Sequence, residues 1–275
     1  MKRAAIIAAL MVSAFILGGG AMIAARSLSG GDTTTYDPVD YPDLQVREPS
    51  FLPVSSKPSD GTKRLRFETI IWNSGSGPME LRPENRGEEA STYAFQRLYT
   101  RDDTGEFTLV REATVGSFAF HAKHKHWHFG NFAAYELHTV ANNGSVGDDI
   151  VASADKVSFC LLDDEEIALE MENSPPEAVY HECKQNTIQG ISIGWGDSYE
   201  SFLPGQNIDI SDVPDGEYWL VFVADPSNLL EESDDDNNTS AVKLKLAGDK
   251  IEVFYKEKPS VTPTEGADDD EKDAD

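Results

Sequence analysis

HAKHKHWHF, residues 121–129, places His124, His126 and His128 at alternate positions. Alternate side chains of a β-strand point to one face, so the spacing predicts a strand bearing three imidazoles one above another. Neutral imidazole suits copper, zinc, iron and nickel, and an all-nitrogen set with open positions favours Cu(II) or catalytic zinc. The plainer alternative is a His-rich surface strand with adventitious metal binding. Against it, four of the six histidines (His121, His124, His126 and His128) fall within eight residues, and their alternation fits a shared ligand face better than scatter.

The same period-two pattern continues on both sides. TYAFQRLY, EFTLVRE and SFAFHAK read as short strands before the histidines, and HWHFGNFAAYELHTV carries on from them. Further upstream, KRLRFETIIWN sets Leu65, Phe67, Thr69 and Ile71 on one face and the partly apolar Arg66, Glu68, Ile70 and Trp72 on the other. That predicts a central, half-covered strand, stopped by the turn signal Asn73-Ser74-Gly75-Ser76-Gly77-Pro78. Downstream, Asn142-Asn143-Gly144 marks a turn and KVSFCLL is β-prone. Residues 164–178 read as an acidic surface excursion with one helical turn. TIQGISIGWGDSYESFLPGQN is too rich in Gly and Ser for one regular element. GEYWLVFVAD is apolar on both faces and is expected to be the most buried strand. AVKLKL turns Val242, Leu244 and Leu246 to one face, and IEVFYKE adds a last edge strand. Many short strands between turn signals, with no long helical period, predict an all-β fold, a β-sandwich with long loops.

Met1-Lys2-Arg3 precedes an uncharged, mostly apolar run from Ala4 to Ala25. A positive start before an apolar core is an export signal, and the run is long enough to span a bilayer. Residues 1–26 are therefore read as a signal peptide or signal anchor that engages membrane or export machinery, with the remainder extracytoplasmic, either membrane-anchored or secreted. Residues 27–41 read as a linker, 42–257 as the globular domain and 258–275 as an acidic disordered tail. Asp and Glu number 49 against 23 Lys and Arg, a net charge of −26. Such a surface repels nucleic acid and attracts cations, although solubility explains it equally well. The two cysteines, Cys160 and Cys183, are expected to form a disulfide in an exported protein.

Taken in order, the histidine triplet, ADKVSFCLLD (154–163), QGISIGWGDSYESFLPGQNIDISDVPDGEY (189–218) and DPSNLLEESDDDNN (225–238) resemble the catalytic domain of the lysyl oxidase family. The resemblance runs from Pro42-Asp43-Leu44 to about residue 247. H-x-H-x-H alone is moderately specific; the ordered set is highly specific. It implies a copper amine oxidase with a lysine tyrosylquinone cofactor. His124, His126 and His128 would hold the copper, and Lys156 and Tyr199 would join to make the quinone. Cys160 and Cys183 fit a family disulfide; the other family disulfides are missing. Lys123 stands where animal members carry a Cys, and Phe120-His121 where they carry a Trp-His pair.

Each residue has a chemical reason. Copper with dioxygen can oxidise the Tyr199 phenol, and the Lys156 amine can add to the ring if burial or a nearby cation keeps it neutral. The quinone then takes a primary amine, with peptidyl lysine a candidate substrate, and a general base removes a proton. His121 and Asp197 are the candidates for that base. Aldehyde, ammonia and hydrogen peroxide are the expected products. The family also places a calcium site on the early D-L and on E-S-D-x-x-N-N, here Asp43, the Leu44 carbonyl, Glu232, Asp234, Asn237 and Asn238. Similar acidic turns occur in adhesion-type sandwich modules, so a non-catalytic metal-binding or adhesion module at the cell surface is the alternative. A zinc hydrolase is a third reading, although H-E-x-x-H is absent.

Overall fold

The computed structural model describes residues 39–48, 53–57, 61–84, 91–122, 125–154 and 157–254, all within one compact unit. The hydrophobic N-terminal segment, nearly all of the linker and the acidic tail lie outside them. Among the described residues no helix is long and apolar enough to cross a membrane.

The described residues form strands without helices. In chain order they begin with β1 (Leu44–Val46), β2 (Val54–Lys57), β3 (Thr62–Arg66), β4 (Thr69–Asn73), β5 (Met79–Pro83) and β6 (Ser91–Arg101). Two long strands follow, β7 (Phe107–His121) and β8 (His126–Val140), then β9 (Val146–Ser153), β10 (Val157–Phe159) and β11 (Glu165–Glu166). The last six are β12 (Gln189–Ile191), β13 (Trp195–Tyr199), β14 (Asn207–Asp209), β15 (Gly216–Ala224), β16 (Thr239–Ala247) and β17 (Lys250–Phe254). The largest sheet runs β12-β5-β6-β7-β8-β15-β16-β17, with β9 and β10 also on β8. A four-stranded sheet runs β1-β4-β13-β11, and a three-stranded one β14-β3-β2.

The core lies between these sheets. Phe67 meets Tyr135 of β8 edge-on at 4.7 Å between ring centroids and Phe222 of β15 at 5.0 Å. Fully burying side chains of this size contributes about 1.5–3 kcal/mol each, with roughly 0.5–1.5 kcal/mol more for a well-placed aromatic pair. As expected from its two apolar faces, β15 is central: it pairs with β8 on one side and β16 on the other. On β16, Val242, Leu244 and Leu246 are all buried.

Four expectations are refined. KRLRFETIIWN is two strands, β3 and β4, in different sheets. The chain turns from one to the other at Phe67-Glu68, yet the buried set Leu65, Phe67, Thr69 and Ile71 keeps its alternation through the corner. EFTLVRE and SFAFHAK merge into the single strand β7. Residues 164–178 contain the short β11 and turns in place of a helical turn. Finally, β9 was not expected: its Asp148-Asp149 pair interrupts the apolar alternation, and the strand is largely exposed.

Candidate metal and cofactor site

The histidines sit on the β7–β8 hairpin. Strand β8 opens at His126, and Lys125 before it adopts a left-handed backbone (φ 58°) in the turn, donating its N–H to His121 O at 2.8 Å. The alternation places His126 and His128 on one face of β8; His124 lies outside the described residues. His121, at the end of β7, pairs directly with His126, and its ring stacks on His128 at 4.9 Å and 11°. The opposite face of β8 carries Trp127 and Phe129, both buried, and they anchor the strand.

The Nε2 atoms of His126 and His128 come within 2.8 Å of each other. Two ring nitrogens that close share either a proton or a metal. His128 Nδ1 lies 3.1 Å from Ser158 Oγ on β10. Donating Nδ1–H to that hydroxyl leaves the Nε2 lone pair aimed at the shared point, the usual arrangement behind a metal-bound imidazole. Among the described residues no three His, Cys, Asp or Glu side chains close a complete metal cage. The donors present nonetheless fit a copper or zinc ion that takes further ligands.

Tyr199, at the end of β13, reaches the same short strand from the other sheet. Its hydroxyl accepts Cys160 N–H at 2.8 Å and donates to Cys160 O at 3.0 Å. The Phe159 ring lies edge-on to it, 3.9 Å between centroids at 72°. Thus Ser158, which meets His128, and Cys160, which holds the phenol, are two residues apart. Burial, and then the Asp197 carboxylate, push the Tyr199 phenol well above its ordinary range, although the residue keeps some exposed surface. Lys156 lies outside the described residues. The strand pairs around it are irregular. Between Glu136↔Ser153 and Ala133↔Val157 the chain takes three residues, 154–156, against two on β8. Between Ala133↔Val157 and Phe129↔Phe159, β8 takes three residues against Ser158 alone, with Asn131 in a left-handed conformation (φ 59°). Bulges of this kind re-aim side chains and gather beside active sites.

Cys160 and Cys183 form the expected disulfide. Asp197, two residues before Tyr199 on β13, is 2 % exposed. One of its oxygens accepts Leu162 N–H, and Oδ2 has no hydrogen-bond partner. Burial first, then Asp164, push its carboxyl well above the usual range.

Of the calcium-type residues, Glu232 meets both Leu44 and Asn238. Glu232 Oε2 accepts Leu44 N–H at 2.5 Å, and Glu232 Oε1 accepts from Asn238 Nδ2 at 2.8 Å. Ser74 Oγ donates to Asp43 Oδ2 at 2.9 Å, and Asp236 N to Asp234 Oδ1 at 2.9 Å. The Oδ1 atoms of Asp43, Asn237 and Asn238 are buried with no hydrogen-bond partner. Burial pushes the Glu232 carboxyl up to about 7. Orphaned buried oxygens are uncommon, and a hard cation would satisfy them.

The lysyl oxidase family profile matches residues 94–255, more than half of the 275-residue chain. This chain belongs to the lysyl oxidase family. Lysyl oxidase homolog 2 of Gallus gallus is 32 % identical over 203 residues, covering 73 % of this chain and 21 % of that protein. Lysyl oxidase homolog 2 of Rattus norvegicus is 29 % identical over 202 residues, again 73 % and 21 %. Lysyl oxidase homolog 4 of Mus musculus is 33 % identical over 138 residues, 49 % of this chain and 16 % of the relative. The chain thus spans about a fifth of the length of these lysyl oxidase homologs. Within the matched stretch lie the hairpin histidines, both cysteines and Tyr199, while Asp43 and Leu44 precede it.

Two residues that bear on the site had no role assigned from sequence, Ser158 and Gln189. Both fall inside the motifs K-x-S-F-C and Q-G-I-S. Their partners, His128, Leu161 and Trp127, are 28–62 residues away, so nothing local marks them.

Proposed function

We propose that this protein is an exported, copper-dependent amine oxidase that converts primary amines, peptidyl lysine among them, to aldehydes with release of ammonia and hydrogen peroxide. The observation that carries this reading is the meeting of His126 and His128 at their Nε2 atoms, tied through Ser158 to the segment that grips the Tyr199 phenol. His124, His126 and His128 would hold the copper, and Lys156 and Tyr199 would supply the lysine tyrosylquinone. When bound, these groups supply one-electron chemistry with dioxygen and an electrophilic carbonyl for the substrate amine.

The chain's own residues do the rest. Ser158 fixes the His128 tautomer. Phe159 and the Cys160 main chain orient the phenol and keep water from it. Asp197 is the better candidate base than His121: it shares the Tyr199 face of β13, its Oδ2 is free to take a proton, and burial raises its affinity for one. His121, by contrast, packs on His128. Asp43, the Leu44 carbonyl, Glu232, Asp234, Asn237 and Asn238 would hold a structural calcium. Residues 1–26 would direct export, leaving the catalytic domain, residues 42–257, outside the cytoplasm, in keeping with its disulfide.

Peptide mapping by mass spectrometry of the copper-loaded protein is expected to find the peptides of Lys156 and Tyr199 joined. Lys156→Ala and Tyr199→Phe should each abolish peroxide release from amines. Separate peptides, or activity surviving in both variants, would remove the cofactor assignment. A redox-cycling quinone stain that stays colourless on copper-loaded protein would favour a non-catalytic module.

A further inference from the structure

We propose that Gln189 is a positioning residue that sets the imidazole pair and the phenol relative to each other. The inference rests on the amine-oxidase reading above and gives this amide a part in that centre. Gln189, on β12, is 1 % exposed. Its Oε1 accepts Leu161 N–H at 3.1 Å, and its Nε2 donates to Trp127 O at 2.9 Å. Each contact belongs to a different half of the site.

Trp127 is the residue between His126 and His128. Strand β10 pairs with β8 at Phe129 and Ala133 and does not reach Trp127. The segment 183–189 stands in for the missing strand: Cys183 O accepts Trp127 N–H at 2.9 Å, and the Gln189 side chain takes the Trp127 carbonyl. The two peptide groups that join the histidines are therefore both held from this segment. At the other end, Leu161 follows Cys160, whose N–H and C=O hold the Tyr199 hydroxyl. The main chain reinforces the contact, with Gly190 N donating to Leu161 O at 3.2 Å. One side-chain amide thus spans the strand that aims the imidazoles and the strand that holds the phenol.

The fit requires an acceptor facing an N–H and a donor facing a C=O, at a side chain almost wholly buried. A primary amide in this orientation supplies both. An apolar side chain of the same length supplies neither and leaves both buried groups unpaired. A carboxyl supplies both only while protonated. Groups that orient metal-bound imidazoles typically change metal affinity 10–100-fold when removed. Gln189 acts through the backbone, so the lower end of that range is expected.

The test uses the full-length, metal-stripped protein and two variants, Gln189→Met and Gln189→Glu. Cu(II) affinity is measured by competition with a chelator from pH 6 to 9, together with the Cu(II) electron paramagnetic resonance spectrum. Gln189→Met is expected to bind Cu(II) about tenfold more weakly across this range and with altered hyperfine structure. Gln189→Glu is expected to match the wild type at the acid end and the Met variant at the alkaline end. Loss of packing alone would not produce that crossover. Hydrogen exchange of the Leu161 amide, read without copper, should be about tenfold faster in Gln189→Met, as expected for one buried hydrogen bond removed. Wild-type affinity, spectrum and exchange in folded Gln189→Met, or no crossover in Gln189→Glu, would overturn the proposal. Should Gln189→Met not fold, the crossover in Gln189→Glu decides alone. If the wild type binds no copper, the oxidase reading falls, and the exchange measurement still judges Gln189.

Discussion

Asp164 and Asp197 lie alongside each other on neighbouring strands, because Glu165 pairs with Gly196 and Glu166 with Trp195. Ser198 N–H donates to Asp164 Oδ1 at 2.8 Å and pins the carboxylate there. Burial against β13, with Glu200 and Glu165 adding and the Ser198 amide opposing, pushes the Asp164 carboxyl up to about 6 from 3.8, although the residue as a whole is exposed. A carboxyl with a raised folded-state value binds its proton more tightly when folded. Stability from this group is therefore complete below about pH 4 and is lost as pH rises through 6. Asp164→Asn, which cannot ionise but keeps an acceptor for Ser198, should raise the melting temperature at pH 8 and leave it unchanged at pH 4. Solvent screening keeps the gain small. Equal effects at both pH values would show that ionisation of this partly buried carboxyl is not the cause. Single residues were unevenly legible in the sequence. His126 and His128 followed from strand periodicity alone, and the Cys160–Cys183 pair from number and compartment. Asp164 was only part of an acidic run until register placed it beside Asp197.

Alternation found most strands and even survived the corner at Phe67, because burial of one face constrains the pattern whether or not the strand is continuous. It failed at β9, where Asp148-Asp149 face solvent on a largely exposed strand paired with β8. The disulfide links two elements that alternation does not connect: the end of β10, through Cys160 just after it, and the 183–189 segment that holds Trp127. Its cysteines are 23 residues apart, a loop whose closure is worth about 3 kcal/mol. Replacing both cysteines by serine should lower unfolding free energy by about that amount in denaturant titration. The same variant should accelerate hydrogen exchange at Trp127 more than at Leu220 in β15. A uniform acceleration would mean that the cross-link serves only global stability.

Pairing across the whole molecule was the least legible level. Nothing in β6, β7 or β12 states that they share a sheet, or that β1 belongs beside β4, since those choices depend on surfaces far apart in sequence. The family motifs supplied what periodicity could not, by naming residues that must meet. The acidic loop 225–238 and β1 are one such case. If a calcium ion sits among the orphaned oxygens of Asp43, Asn237 and Asn238, chelation should lower the melting temperature and added calcium restore it. Calcium at a hundred times its dissociation constant would contribute about 2.7 kcal/mol. Asn238→Ala should remove most of that response; an unchanged melting temperature across the calcium titration would leave those oxygens without a cation. The contact between Leu44 and Glu232 spans 188 positions of the chain. It acts as a clasp, fastening the first described strand to the loop that joins β15 to β16. Trimming that leading strand would therefore loosen the loop as well, and the domain should lose its fold in one concerted step instead of fraying inward from a single side.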